Sequence, residues 1–266
     1  MDTNKIIYKA RRSLILVLIL PEVVLSQNLI LNGSFEDFSA CPDHVNRLSL
    51  AKGWYSPTNG TPDYFNRCDT TGSVGVPYNY DGFQDAIHGE AYAGLYLVSN
   101  LTIEREYIQT KLQRSLLKGE GIAVTFYISS SEGSFTSFNK ISIGFSKGSP
   151  KVINYRNCTS DSKFKPACQI LKCENKVVLS IIHASDKENW IELKGTYFAK
   201  GGEDTLTIGL FDGDISENEY KNVISEYIEN LEALGRTNEQ IDDLINFANA
   251  YYYIDNITVH SIEFSH

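Results

Sequence analysis

The chain has 266 residues, of which 42% are hydrophobic, and a formal net charge of −9 at pH 7. This length suits one large domain. An acidic protein repels nucleic acid and anionic lipid surfaces, so the charge argues against both as partners. Its five cysteines predict disulfides if the chain is exported.

Residues 1–26 have the organisation of a signal peptide. Four basic residues precede the apolar run Leu14–Leu20, and we place the cleavage site after Ser26. Pro21 interrupts the run, which is too short to anchor the chain in a bilayer of about 30 Å. We therefore predict an exported domain over residues 27–266, with no membrane span after cleavage. Loss of four basic and two acidic residues would take the net charge from −9 to −11.

The first segment of the predicted mature chain, Asn28–Glu36, is interpreted as a strand. Leu29, Leu31 and Phe35 alternate with polar residues, as in a strand with one buried face.

Residues 37–85 are rich in Gly, Pro, Asn, Asp and aromatic residues, with few alternating runs. This composition predicts a long loop region of the kind that carries function on a rigid scaffold. Cys41 and Cys68 lie within it, and a disulfide between them would stabilise the domain by about 3–4 kcal/mol. That pairing is our first choice.

Seven further segments alternate apolar and polar residues between turn-forming residues, which predicts strands. They cover residues 90–98, 106–113, 122–130, 140–146, 177–183, 190–199 and 204–211. With a strand at each end of the domain, they predict an all-β, two-sheet jelly-roll β-sandwich.

An insertion at residues 149–176 contains Cys158, Cys168 and Cys173 and has no clear period. We predict a disulfide-tied surface excursion that supplies no strand, with one of the three cysteines left over. A zinc site is the alternative. No histidine lies within the cluster, and an oxidising compartment favours a disulfide over zinc.

A second insertion, residues 216–249, predicts a helical hairpin. Ser216 and Glu219 form a capping-box pattern ahead of an apolar stripe at helical spacing, which Gly235 ends, and Thr237 begins a second helix. The stripe either packs on the sandwich as a lid or contacts a protein partner. An amphipathic stripe faces its own core by default, which favours the lid.

The last segment, Tyr251–Val259, predicts the closing strand. Its apolar positions alternate with one break at Asp255-Asn256, and they are Tyr252, Ile254, Ile257 and Val259.

Several motifs along the chain together resemble a known family. They are the opening Asn28–Glu36, Ala51-Lys-Gly-Trp-Tyr-Ser-Pro-Thr58, Thr61-Pro-Asp-Tyr-Phe-Asn66, Gly89-Glu-Ala-Tyr-Ala-Gly94, Glu106-Tyr-Ile-Gln-Thr-Lys-Leu112, Thr205-Leu-Thr-Ile-Gly209 and the closing Tyr253-Ile-Asp-Asn-Ile257. The chain resembles the galactose-binding-like jelly rolls, which include many carbohydrate-binding modules. It is similar in particular to a domain of exported envelope proteins of Gram-negative bacteria that often precedes an OmpA-like domain. The resemblance covers most of residues 28–260, apart from two insertions. We identify no OmpA-like domain after it, so the cell-wall role of such domains is not carried over.

The resemblance implies a structural calcium ion between the two ends of the domain. In the similar sandwiches the cation is held by a Glu after the opening motif and an Asp in the closing motif, which here are Glu36 and Asp255. Such carboxylates, with backbone carbonyls, are the hard oxygen ligands that Ca²⁺ takes. The alternative is that both carboxylates are solvated or accept hydrogen bonds from backbone amides.

Sugar binding needs an exposed aromatic platform beside amide or carboxylate side chains, and residues 54–84 offer that mixture. The candidate platforms are Tyr55, Tyr64 and Tyr80, and the candidate hydrogen-bonding partners are Asp63, Asn79 and Gln84. For any one of these residues, the competing interpretation is burial within the domain.

No catalytic motif stands out, because the five histidines have no Ser or Cys partner at a known spacing and no acidic pair forms a glycosidase motif. We therefore predict a non-catalytic module that recognises a glycan in the periplasm, on the outer-membrane surface or outside the cell. The alternative is an assembly subunit of an envelope secretion or gliding machine that contacts a protein partner through residues 216–249. Glycan binding predicts an exposed aromatic cluster within residues 54–84. The assembly role predicts that the apolar stripe of the helical hairpin is only partly covered by its own domain.

Overall fold

A computed structural model of the chain describes residues 27–98, 105–154, 169–245 and 248–262. The predicted signal peptide, Cys158 and Cys168 lie outside the described residues. The strands of the described residues are β1 (Trp54–Tyr55), β2 (Asp63–Asn66), β3 (Tyr78–Asn79), β4 (Gly82–Phe83), β5 (Ala91–Val98), β6 (Tyr107–Lys111), β7 (Gly121–Ser130), β8 (Lys140–Ser146), β9 (Lys151–Asn154), β10 (Gln169–Lys172), β11 (Lys176–Ser180), β12 (Ile191–Phe198), β13 (Thr205–Gly209) and β14 (Ala250–Ile262).

Ten of these strands form two antiparallel sheets, which confirms the predicted all-β sandwich. The first sheet has the order β1-β6-β13-β8-β11, and the second has the order β12-β7-β14-β5-β2. One continuous apolar core lies between them and draws side chains from both sheets, such as Ile143 and Phe145 of β8 and Phe126 and Ile128 of β7. The sandwich therefore buries one face of each sheet against the other.

The closing strand has the alternation that its sequence predicts. Tyr252, Ile254, Ile257 and Val259 all point into the core between the sheets. The predicted break is a β-bulge between Asp255 and Thr258. The bulge adds a residue to the strand and restores the inward direction of the side chains that follow it.

The opening segment is not a strand, so this prediction was wrong. It nevertheless runs along β14, because Leu29 N donates to Val259 O at 2.7 Å and Ile257 N donates to Gly33 O at 2.8 Å. Leu29 and Phe35 are buried as predicted, but Leu31 is exposed and Ile30 is buried in its place. A Cβ at Gly33 would lie 1.8 Å from Ile257 O, so only glycine fits this close approach.

Residues 37–85, predicted as a long loop region, contain the four short strands β1–β4. The predicted Cys41–Cys68 disulfide is formed, and β2 is an edge strand of the second sheet. The residues that follow β2 cover the outer face of that sheet, where a second apolar cluster is buried. Its members are Phe65, Val74, Val76, Tyr92, Tyr251 and Tyr253.

The insertion at residues 149–176 does supply strands, contrary to the prediction. Its described ends form the antiparallel pair β9 and β10, in which Val152 faces Leu171. Leu171 is buried against Tyr107 and Phe211, and Cys173 is buried there as a free thiol. The pair forms because its apolar side chains reach a pocket of the main sandwich, a contact that short-range periodicity does not reveal.

The predicted helical hairpin is present between β13 and β14. It consists of α1 (Glu217–Ala233) and α2 (Asn238–Ile245). Ser216 and Glu219 make both hydrogen bonds of the capping box, and Thr237 caps α2 by accepting from Gln240 N at 3.3 Å. Among the described residues, no helix combines the length and hydropathy that a membrane crossing requires.

Candidate functional site

Three exposed aromatic side chains lie on one tight turn over the outer face of the second sheet. Tyr78, Tyr80 and Phe83 are 71%, 46% and 42% exposed, respectively. They lie on β3, β4 and the two residues between them, and we call this element the aromatic hairpin. The rings of Tyr78 and Phe83 make an edge-to-face contact across the strand pair, with centroids 4.7 Å apart and planes at 70°.

The conformation of the aromatic hairpin follows from its polar residues. Asn79 Oδ1 accepts a hydrogen bond from Asp81 N at 2.9 Å, which forms a side-chain-capped turn. Phe83 N donates to Glu132 Oε2 at 3.0 Å. Gly82 has φ 149°, and a Cβ there would lie 1.8 Å from the same carboxylate oxygen. Glycine at this position therefore allows both the turn and the approach of Glu132.

The Asn79 amide anchors the aromatic hairpin to the sheet beneath it. Its Nδ2 donates to Tyr92 Oη at 3.0 Å, and its Oδ1 accepts from Tyr253 Oη at 2.9 Å. Tyr92 lies on β5 and Tyr253 on β14, so one side chain ties the turn to two central strands. Tyr92 in turn donates to Gln84 O at 3.0 Å.

Asp63 anchors the exposed ring of Tyr80 from below. Its Oδ2 accepts hydrogen bonds from Tyr80 Oη at 2.8 Å and from Tyr251 Oη at 2.5 Å. Its Oδ1 accepts from Asn46 N at 2.5 Å. Burial raises the pKa of Asp63, and these three donors act in the opposite direction. The Tyr80 hydroxyl is thus held while its ring stays open to solvent.

The structure separates the six predicted sugar-binding residues. Tyr80 is exposed on the aromatic hairpin, whereas Tyr55 is half-buried on β1 of the other sheet. Tyr64 is fully buried and donates to Phe35 O at 2.9 Å. A buried ring has no face to offer a ligand, so the expectation of an exposed platform is wrong for Tyr64.

The predicted hydrogen-bonding partners support the scaffold. Asp63 and Gln84 are buried, and Gln84 Nε2 donates to Ser129 Oγ at 2.6 Å. Asn79 is half-buried and uses both ends of its amide within the domain. None of these three side chains faces solvent, because each is directed toward hydrogen-bonding partners within the domain.

Tyr78 and Phe83, which are both exposed, were not among the predicted residues. Both belong to residues 54–84, and the signal that could have identified them is the Asp81-Gly82 pair, which marks a turn between two aromatic positions. Cross-strand neighbours beside a tight turn share one face. An aromatic pair at that spacing therefore predicts two rings in contact on one face of a hairpin.

Glu36 and Asp255, the predicted calcium ligands, bind backbone amides of one loop. Glu36 Oε1 accepts from Glu90 N at 2.9 Å and Ala91 N at 3.0 Å. Asp255 Oδ2 accepts from Ile87 N at 3.0 Å and from the neighbouring amide at 3.1 Å. Burial raises the pKa of Asp255 to about 8, although its amide donors oppose this rise.

In this structure both carboxylates accept from backbone amides. Ca²⁺ takes about six to eight oxygen ligands, and the described residues hold no group of three His, Cys, Asp or Glu side chains that could bind a metal. Glu36 and Asp255 therefore have the role that the sequence left as the alternative, and the calcium ion stays a prediction.

Comparison with known proteins gives structural likenesses at low sequence identity. No family model and no curated protein sequence matches the chain. A Stig cyclase, Fisc, from Fischerella sp. TAU, solved in complex with (3Z)-3-(1-methyl-2-pyrrolidinylidene)-3H-indole, is 12% identical with a TM-score of 0.47, over 91% of this chain and 99% of that chain.

Two binding proteins are also similar. The module TmCBM61, solved in complex with β-1,4-galactotriose, is 11% identical with a TM-score of 0.34, over 89% of this chain and 100% of that chain. The K1 cleaved adhesin domain of Lys-gingipain from Porphyromonas gingivalis W83 is 10% identical with a TM-score of 0.35, over 87% of this chain and 96% of that chain. Likenesses of this strength do not assign a ligand or an activity, since one fold hosts many functions.

Proposed function

We propose that the protein is an exported, non-catalytic module that recognises a carbohydrate through the aromatic hairpin. The observation that carries this proposal is the exposure of Tyr78, Tyr80 and Phe83 on one rigid turn. Large apolar rings grouped on a surface mark an interaction site. Here the group is held by buried hydrogen bonds, so its shape is preorganised for a ligand.

The chemistry of the aromatic hairpin suits a sugar ring. The apolar face of a sugar stacks on an aromatic ring, and its hydroxyls need acceptors beside that ring. Tyr78 and Phe83 supply the rings. Glu132 is exposed next to Phe83 and is the proposed acceptor for a sugar hydroxyl.

Export and the absence of catalysis are parts of the same proposal. The Cys41–Cys68 disulfide supports an oxidising location such as the periplasm or the cell exterior. Two buried carboxylates of the sandwich have structural partners: Asp63 accepts from two tyrosine hydroxyls, and Glu106 accepts from Thr61 N at 2.8 Å. For these two residues, such roles support binding without chemistry.

A glycan array tests the proposal. We expect saturable binding that falls at least tenfold in Tyr78→Ala and in Phe83→Ala, because each change removes a stacking surface. Leu117→Ala is the matched control, since Leu117 is also exposed and apolar but precedes β7. Absence of binding by a folded protein, or equal losses in all three variants, would contradict the proposal.

A second candidate function is assembly with an envelope protein through α1 and α2. The observation that favours it is incomplete cover of the apolar stripe, because Ile224, Ile228 and Leu244 are only partly buried. Leu234, at the end of α1, is exposed. Ile228→Glu separates the two candidates when it is compared with the native chain. If the protein is an assembly subunit, the variant loses the partner that crosslinks to the native chain in an envelope fraction. If it is a glycan module, the variant keeps its binding on the glycan array.

A further inference from the structure

A cavity of about 310 Å³ lies between α1 and the sandwich. The α1 wall is formed by Val223, Glu226, Tyr227 and Asn230, whose spacing places them on one face of the helix. The opposite wall is formed by Ser130, residues 134–137, Ser185 and Lys187. This volume is near the lower end of small-molecule sites, about 300–1,000 Å³.

The lining of this cavity is rich in hydroxyls and carries no net charge. Among the described residues that line it, the hydroxyls belong to Ser130, Ser134, Thr136, Ser137, Ser185 and Tyr227. The charged residues are Lys187 and Glu226, of opposite sign. Lys187 Nζ already donates to Glu132 O at 3.0 Å and Ser134 O at 2.9 Å. A neutral, polyhydroxylated ligand matches this lining better than an ion does.

Two of these hydroxyls are buried without a partner. Ser130 is 2% exposed and Tyr227 is 7% exposed, and neither Ser130 Oγ nor Tyr227 Oη has a hydrogen-bond partner among the described residues. Buried polar groups are normally hydrogen-bonded. The neighbouring Ser134 hydroxyl is hydrogen-bonded in this way, since it donates to Tyr251 O at 2.7 Å and accepts from Tyr251 N at 2.8 Å.

The cavity also has an aromatic wall. The rings of Phe135 and Tyr227 are 6.3 Å apart with planes at 52°, and Phe135 is exposed at the rim. An aromatic face beside unpaired hydroxyls is the combination that a sugar ring requires.

We propose that this cavity binds the ring of one neutral sugar residue, with Ser130 Oγ and Tyr227 Oη bonded to its hydroxyls and Phe135 against its apolar face. This cavity shares no residue with the aromatic hairpin, and α1 of the inserted helices supplies one of its walls.

Titration calorimetry with D-glucose, D-galactose, D-mannose and N-acetyl-D-glucosamine, each added alone to the full chain, tests the inference. We expect one of these sugars to bind and its affinity to fall about five- to tenfold in Tyr227→Phe and in Ser130→Ala, the effect of one lost hydrogen bond. Tyr220→Phe is the matched control. Its hydroxyl is also buried and unpaired among the described residues, but Tyr220 stacks on Phe138 and does not line the cavity.

A variant that blocks the cavity separates loss of sugar binding from a general loss of stability. Ser185→Tyr adds bulk at an exposed position of the cavity wall, and we expect it to abolish sugar binding while leaving thermal unfolding unchanged. Unaltered affinity in Tyr227→Phe and Ser130→Ala would overturn the inference, as would the absence of binding by all four sugars. Binding lost in Tyr78→Ala but kept in Ser185→Tyr would place the sugar on the aromatic hairpin and also overturn it.

Discussion

Glu36 and Asp255 come from opposite ends of the domain and hold the same loop by its backbone amides. Glu36 binds the amides of Glu90 and Ala91, and Asp255 binds those of Ile87 and His88. The loop between them contains Gly89 at φ 72°, where a Cβ would lie 2.3 Å from the Glu36 carboxyl carbon. The two chain ends are therefore coupled through residues 87–91.

Asp255→Ala tests this coupling. It removes the oxygen that accepts from Ile87 N and His88 N, so both backbone N–H groups lose their partner. We expect the free energy of unfolding to fall by about 1–3 kcal/mol, measured by urea denaturation. Asp85→Ala, on an exposed carboxylate that is 3.5 Å from Arg67, is the control and should change stability by less than about 0.5 kcal/mol. Equal stability of both variants would show that the amide bonds contribute nothing.

The predicted calcium ion has its own test at the same residues. If Ca²⁺ bridges Glu36 and Asp255, the melting temperature rises with calcium concentration, because an ion that binds only the folded state stabilises it. Glu36→Gln should then abolish that rise. Identical melting in calcium and in EDTA would contradict the calcium hypothesis and leave the amide role alone.

Tyr80 and Tyr251 share one carboxylate, so their hydroxyls should be coupled in stability. Tyr80→Phe and Tyr251→Phe each remove one donor from Asp63, and we expect each to destabilise the domain by about 1–2 kcal/mol. A double-mutant cycle should give non-additive values, since both hydroxyls donate to the same oxygen, Asp63 Oδ2. Tyr78→Phe is the control, because Tyr78 is exposed. Strict additivity would show that the two bonds act independently.

Asp81 should make stability depend on pH. Burial raises the pKa of Asp81 to about 6, and its Oδ2 has no hydrogen-bond partner among the described residues. The unfolded pKa is about 3.9, so the folded state binds the proton more tightly. Protonated Asp81 therefore stabilises the folded state by up to about 3 kcal/mol. This stabilisation is complete below about pH 4 and is lost as the pH rises through about 6.

Asp81→Asn isolates this contribution, because the amide resembles the protonated acid. We expect the variant to lose part of the decline in unfolding free energy between about pH 4 and pH 8. A residual decline should remain, since burial also raises the pKa of Glu106 to about 7. The measurement is urea unfolding across this range with Asp85→Asn as the control. A variant with the same pH profile as the native chain would refute the assignment to Asp81.

Much of the secondary structure could be predicted because it depends on near neighbours. Ser216 and Glu219 are three residues apart and cap α1 by themselves. In β14, alternation predicted the inward positions and even the interruption at Asp255. The Cys41–Cys68 pairing also followed from spacing and the expected compartment.

The candidate site could be predicted only as a region. Tyr64 and Tyr78 are both tyrosines between residues 54 and 84, yet one is fully buried and the other is 71% exposed. The difference arises because Tyr64 lies on β2 and faces the core between the sheets, whereas Tyr78 lies on a turn above the outer face of the second sheet.

The sequence by itself determined the all-β class, the closing strand, the helix caps and the chemical character of residues 54–84, because each depends on residues close together in the chain. Only the tertiary structure decided that Asn28–Glu36 runs along β14 without forming a strand, that Glu36 and Asp255 meet one loop, and which aromatic rings reach solvent. Those features depend on contacts between segments far apart in sequence, and periodicity contains no information about which distant segment will cover a given face.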